Sequence, residues 1–341
     1  MQVDAPPHRM QELWFDDGSL VIQCESTQFR VHRSILAACS PVFKDMLSLP
    51  QPPDSQMVEG CPVVQLSDSP IEAAMFLKAI FDPNYFRPFP ARTEYPILQG
   101  CLRLSHKYEV DYIRHRALVH LSSRYRTTLA EHDTADEFDS DPTPDRNLST
   151  IISWPMPDDP TYRVAVVQLA RQVDALWILP RAFYALSASI HELGGKALHG
   201  AVFNGLSVDL GIPDQMTLLE GHTIQTRASS SEILKSLVVM TQIPDCTAIA
   251  RCPKERLSLV RSLLDVESQY PSHPLSVWDV ADWDPFERLL CRVCLGALRK
   301  AHKKTRQAFW DRLPEIYGLP SWENLEKMKV EAIGVHWWFP Q

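Results

Sequence analysis

Four cysteines in the second half of the chain have the sharpest chemical spacing. Cys246 and Cys252 form a C-x5-C pair and Cys291 and Cys294 a C-x2-C pair, with a few tens of residues between the pairs. Four thiolates brought together make a closed tetrahedral site for zinc, which needs no open position when its role is structural. The spacing is looser than that of the usual zinc knuckles, and a plainer alternative stands beside it. Free cysteines are often buried and pack as small apolar side chains. His273 and His302 are the substitute ligands if one cysteine does not bind. Structural zinc on Cys246, Cys252, Cys291 and Cys294 is the one metal the sequence admits, and no other cofactor is expected. The remaining cysteines, Cys24, Cys39, Cys61 and Cys101, are isolated and are expected to pack in a core.

Reaction chemistry has little footing. There is no G-x-S-x-G, Walker loop, H-E-x-x-H or G-x-G-x-x-G. The carboxylate pairs Asp158-Asp159 and Asp282 with Asp284 sit beside prolines, where turns and helix caps account for them. No catalytic residue is assigned, and the chain is read as non-enzymatic. Arg299, Lys300, Lys303, Lys304 and Arg306 make a basic helix face, expected to be solvated or to meet the acidic stretch Glu131 to Asp145 of the same chain. A formal charge of -8 disfavours nucleic acid as a general partner.

These side chains need a scaffold. At 341 residues, 45% apolar and 22% charged, the chain is expected to form two regions with a real core. Glycine is scarce (12) and proline plentiful (27), which suits helices stopped by prolines more than glycine-rich phosphate loops. No apolar run approaches the ~20 residues of a membrane span. MQVDAPPHRMQELW shows no signal-peptide pattern, so the cysteines are read as thiols of an intracellular protein, in cytoplasm or nucleus.

Residues 1–13 read as a polar tail. Leu20 to Gln23 and Phe29 to Val31 are strand-like runs around a polar turn, and Val63 to Leu66 is another. Ser34 starts a short helix, Ser40-Pro41 a second and Ser69-Pro70 a third, followed by helices over Ile97 to Lys107 and Asp111 to Tyr125. Glu131 to Asp145 holds seven acidic residues and no lysine or arginine, which predicts an acidic, proline-containing linker over 131–158. From 159 to 341 the periodicity predicts an all-helical region. One helix ends near Pro180, the next stops near Gly194-Gly195, Ser229 to Glu232 caps a third, and Leu257, Val260 and Leu264 mark a fourth. The longest runs from Pro285 to Leu313 with a stripe through Leu289, Val293, Ala297, Ala301, Ala308 and Trp310.

The order of elements over 14–130, together with FRVHRSILAACSPVFKDM (Phe29 to Met46) and the opening Asp17-Gly18-Ser19-Leu20-Val21-Ile22, resembles a BTB/POZ domain. MLSLPQPPDSQMVEGCPVVQLSDSP and LPEIYGLPSWENL further resemble a group of fungal, mostly basidiomycete, BTB-domain proteins. The resemblance implies an α+β fold with short strands and helical hairpins, and a structural role for His32 at the strand-to-helix turn. It also implies protein–protein interaction, with self-association and, in many relatives, recruitment of cullin-type ubiquitin ligases. Two departures accompany it. Ser19 stands where dimerising members often place the aspartate that partners the basic residue after the histidine, here Arg33, and Asp17 is out of register. Met57-Val58-Glu59 fits the apolar-x-Glu element of cullin binders, but behind an insertion carrying Pro50, Pro52 and Pro53. The expected function is a substrate adaptor of a cullin-type ligase, with Met57, Val58, Glu59, Phe76 and Ile80 as partner-binding residues. Its partners would be other proteins, a second copy of itself and a cullin, and no membrane. The alternative is a nuclear regulator whose zinc-stabilised C-terminal region and basic helix touch nucleic acid.

Overall fold

The computed structural model describes residues 7–49, 56–140, 152–239, 242–267 and 274–334. Five strands, β1 (His8–Trp14), β2 (Leu20–Cys24), β3 (Thr27–Val31), β4 (Met57–Val58) and β5 (Cys61–Leu66), form one sheet in the order β1-β3-β2-β5-β4. β2 pairs antiparallel with β3 and parallel with β5. Leu20, Ile22 and Cys24 face the main core, while Val21 joins Cys61 and Val63 on the other face, covered by Trp14 and Val58. Burial on both faces explains why β2 opens on three consecutive apolar residues, Leu20, Val21 and Ile22.

The expected polar tail ends in a strand instead. β1 lies parallel to β3 at the sheet edge, and only Leu13 of its side chains is fully buried (1% exposed). Backbone pairing holds such an edge strand without an apolar alternation that a sequence reading can detect.

Five helices follow as expected: α1 (Arg33–Cys39), α2 (Pro41–Ser48), α3 (Pro70–Phe81), α4 (Tyr95–Lys107) and α5 (Asp111–Ser122). Ser40 Oγ accepts the Phe43 N–H at 3.0 Å, and Pro41 fills the first helical position. Ser34 does not cap α1; His32 holds that position without a side-chain cap.

Beyond them the chain is mostly helical, with α6 (Leu129–Ser140), α7 (Tyr162–Gln172), a 3-10 turn Leu176–Ile178, α8 (Leu179–Ala188) and α9 (Ile190–His199). A hairpin of β6 (Ala201–Phe203) and β7 (Leu206–Val208) interrupts the helices. Then come α10 (Ile212–Ala228), a π-helical turn Ser229–Leu234, α11 (Lys235–Val239), α12 (Cys252–Glu267), α13 (Val280–Leu289), α14 (Arg292–Ile316) and α15 (Trp322–Ile333).

Several expectations for this half change. Pro180 sits in the first turn of α8 and opens that helix, since proline lacks only an N–H that is unpaired there anyway. α9 runs through Gly194-Gly195 and stops at Gly200, whose φ of +81 suits glycine. Ser229 to Glu232 continues α10 through the π turn, and Glu232 pairs with Arg312 at 3.1 Å. The hairpin was signalled by Asn204-Gly205, both at positive φ, a sequence that favours a tight two-residue turn.

The expected linker is anchored at both ends, while 141–151 lie outside the described residues. Its first part belongs to α6, where His132 stacks on Trp310 at 5.4 Å and Asp133 accepts two bonds from Arg306 at 2.7 and 3.1 Å. At its far end Trp154 is 1% exposed, and its Nε1–H donates to the His120 carbonyl at 2.9 Å. Composition underrates the described ends of this segment, because their anchors, Trp310 and Arg306 for α6 and His120 for Trp154, lie far away in sequence.

One core runs from Leu13 to Ile333 and joins the sheet and α3–α5 to α7, α8, α10, the end of α14, and α15. Lys329 Nζ donates to Thr127 Oγ1 at 2.9 Å, and Trp177 Nε1 to Ser122 Oγ at 2.9 Å, tying the helical half onto α5 and the turn after it. A second, smaller core gathers Leu234, Leu237, Cys252, Val260, Trp283, Phe286, Leu290, Cys294 and Leu298.

Candidate functional site

The smaller core brings the four cysteines together. α12 starts at Cys252, and α13 ends so that Leu290 and Cys291 are extended before α14. The expected single helix from Pro285 to Leu313 is therefore two helices. The interruption turns Cys291 into the N-cap of α14, where its Sγ accepts the Cys294 N–H at 3.5 Å. Cys252 Sγ accepts the Cys291 N–H at 3.3 Å. Cys246 Sγ lies 3.4 Å from Cys294 Sγ and 3.9 Å from Cys291 Sγ, and all four sulfurs lie within 4.8 Å of one another.

The amide of Cys294 lowers the Cys291 thiol to about 5, while burial pushes Cys294 upward. Cys246, Cys252 and Cys294 border a cavity shared with Ile249 and Arg256. His302 does not substitute as a ligand. It stands two turns further along α14, its ring 4.5 Å from that of Trp278, and burial lowers its pKa to about 4. His273 lies outside the described residues. The other four cysteines stay apart: Cys24, Cys61 and Cys101 are buried and Cys39 is half-buried.

The buried stripe of α14 runs through Cys294, Leu298, His302, Phe309, Trp310 and Leu313, whereas the expected Val293 and Ala308 are exposed. Reading the helix from Pro285 fixed its phase on residues that belong to α13. Arg306 is buried against Asp133 and the Leu275 carbonyl, and Arg299 pairs with Glu287. Lys300, Lys303 and Lys304 are the exposed remainder of the basic face.

The five expected partner-binding residues do not share one surface. Met57 is 56% exposed on edge strand β4, and Val58 packs on the outer face of the sheet. Glu59 holds a left-handed turn (φ +48) and bridges Arg9 at 2.5 Å and Arg30 at 3.2 Å. Phe76 is 2% exposed in the main core, its ring 5.8 Å from Tyr108, so it has no face left for a partner. Ile80 packs partly buried against that same core.

Around the resembled dimer pocket, the Arg33 N–H donates to Ser19 Oγ at 3.3 Å and its guanidinium donates to the Leu47 carbonyl. Asp17 instead lies 3.5 Å from His32 Nε2, and the His32 ring sits 5.2 Å from that of Phe15.

The carboxylate pairs do structural work. Asp279 and Asp282 form a capping box at α13, Asp284 pairs with Arg288 at 2.8 Å, and Asp159 accepts the Thr161 N–H at 2.9 Å. His120, fully buried, donates through Nε2 to the Arg87 carbonyl at 2.9 Å and accepts at Nδ1 from Ser153 at 2.7 Å. Burial lowers its pKa to about 4, so it is neutral at pH 7 and braces the segment entering α7. His120 and Trp154 escaped the sequence reading because neither sits in a recognisable motif.

Residues 15–124 match the family model described as the BTB/POZ domain, from the residue after β1 to just past α5. The N-terminal region is thus a BTB/POZ domain, a protein-interaction domain and not a catalytic one. A mostly helical region follows it. Comparison of the chain with curated proteins and with solved structures gave no match. Among the described residues no helix is long and apolar enough to cross a membrane.

Proposed function

We propose that this chain is a non-enzymatic interaction protein whose BTB/POZ domain docks partners, including a second copy of itself, and whose helical region supplies a second binding surface. The finer role is that of a substrate adaptor for a cullin-type ubiquitin ligase, working in the cytoplasm or nucleus. Such an adaptor breaks no bond; it raises the effective concentration of a substrate near the ligase. The domain match over 15–124 carries this reading. Exposed apolar side chains on that domain, Met57 on β4 and Ile35 on α1, support it. Phe76 is removed from the contact set by its burial, and Glu59 serves the sheet edge.

The nucleic-acid alternative loses ground, because Arg306 and Arg299 are spent on carboxylates within the chain. Light scattering of the full chain over a concentration series, alone and with a cullin N-terminal fragment, tests the proposal. The expected result is a dimer that takes up the fragment, with uptake weakened in Met57→Asp and Ile80→Asp. A monomer at all concentrations that ignores the fragment would overturn it.

A further inference from the structure

We infer that Cys246, Cys252, Cys291 and Cys294 hold a single zinc ion in a closed tetrathiolate centre that staples the smaller core. The distances carry the argument. A tetrahedral ion with Zn–S bonds of ~2.3 Å spaces its sulfurs about 3.8 Å apart. Here two of the spacings are 3.4 and 3.9 Å, and all four sulfurs fall within 4.8 Å of one another. That sphere is too tight for an iron–sulfur cluster, whose several metals and sulfides spread the cysteines further apart. It is also well beyond the ~2 Å of a disulfide bond, and all four cysteines are free. With four protein ligands no coordination position is left for substrate, so the centre is structural.

The surroundings suit its charge. Four thiolates around Zn2+ leave a Zn(SR)4 unit of net charge −2, and the protons still on the thiols pass to solvent on binding. The first residue of α12 and the N-cap of α14 are both ligands, so the positive ends of two helices meet the sulfurs. The Cys291 and Cys294 amides donate to sulfur. Independently of these, Arg256 is 5% exposed and borders the same cavity as three of the cysteines, and its buried Nε has no hydrogen-bond partner. A buried cation without an anionic partner would be costly, whereas beside a dianionic centre it is compensated. The centre joins the 242–252 segment to the α13–α14 junction, and so closes a core too small to be secured by apolar burial alone.

Elemental analysis of the full chain, purified with reductant and without chelators, tests this. The expected result is one zinc per chain. Co2+ exchanged into the site is expected to give thiolate charge-transfer bands and the intense visible bands of a tetrahedral ion. The double variant Cys291→Ser, Cys294→Ser is expected to lose the metal, and Cys39→Ser to keep it. Wild-type protein that contains no stoichiometric zinc and shows no cobalt spectrum after reconstitution would overturn the inference. So would full zinc retention in the double variant.

Discussion

Two cores in this chain are built from different materials. The larger, from Leu13 to Ile333, interlocks aromatic side chains with buried hydrogen bonds, as where Trp154 reaches the His120 carbonyl and Trp177 reaches Ser122. It ignores the sequence boundary between the BTB/POZ domain and the helices, since α15 returns to lie against α5 and the 3-10 turn Leu176–Ile178. The smaller core, from Leu234 to Leu298, has three close-packed aromatic rings, Trp278, Trp283 and Phe286, and a knot of four sulfurs. The lesson of the contrast is that the interaction domain and the helical half share one scaffold, whereas the cysteine-bearing part is an attached unit that needs its own fastening.

The largest expected effect breaks that scaffold at its seam. Trp154→Ala removes a fully buried indole and its bond to His120, and is expected to cost ~3–5 kcal/mol. Chemical denaturation should show loss of the BTB/POZ domain and the helices together; loss of the helices alone would separate what the shared core joins. Leu298→Ala strikes the other side of the comparison. It is expected to cost ~2–5 kcal/mol and to be felt first in α12 and α13, as reported by peptide-resolved hydrogen exchange.

Acid sharpens the contrast further. Burial lowers His120 in the main core and His302 in the smaller one to about 4, against an ordinary 6.5. The unfolded chain therefore binds these protons first. Stability is complete above pH 6.5 and falls as pH drops toward 4, by on the order of 3 kcal/mol per histidine. Urea midpoints across that window check it, and a flat profile would contradict the burial of both rings. Arg306→Leu, which removes the ion pair between α6 and α14 but leaves His132 on Trp310, is expected to cost about 1–3 kcal/mol, moderated because Asp133 is partly exposed. Glu59→Ala is expected to stay under ~1 kcal/mol, since its partners lie at an exposed sheet edge.

Much of the first region was legible because its signals are local. Ser40-Pro41 caps α2 as written, and the Leu20 and Phe29 runs pair as written. The cysteine constellation was legible for another reason, in that paired spacing is visible without knowing the fold. What stayed hidden depends on contacts distant in sequence. The polar edge strand β1 is fixed only by β3, α6 is ordered by Arg306 and Trp310, and the α13–α14 break is set where Cys291 turns toward Cys252. Phe76 shows the same limit from the other side, because apolar periodicity finds a buried face but not whether a partner or the protein's own core covers it.

The claim of one shared scaffold with an attached unit is tested most directly by native-state hydrogen exchange of the full chain in rising sub-denaturing urea. The account predicts that amides of α4, α5, α7, α8 and α15 converge on one opening free energy. Those of α12 and α13 should open at a lower one. A division near residue 124 instead, with α4 and α5 exchanging as one unit and all later helices as another, would contradict it.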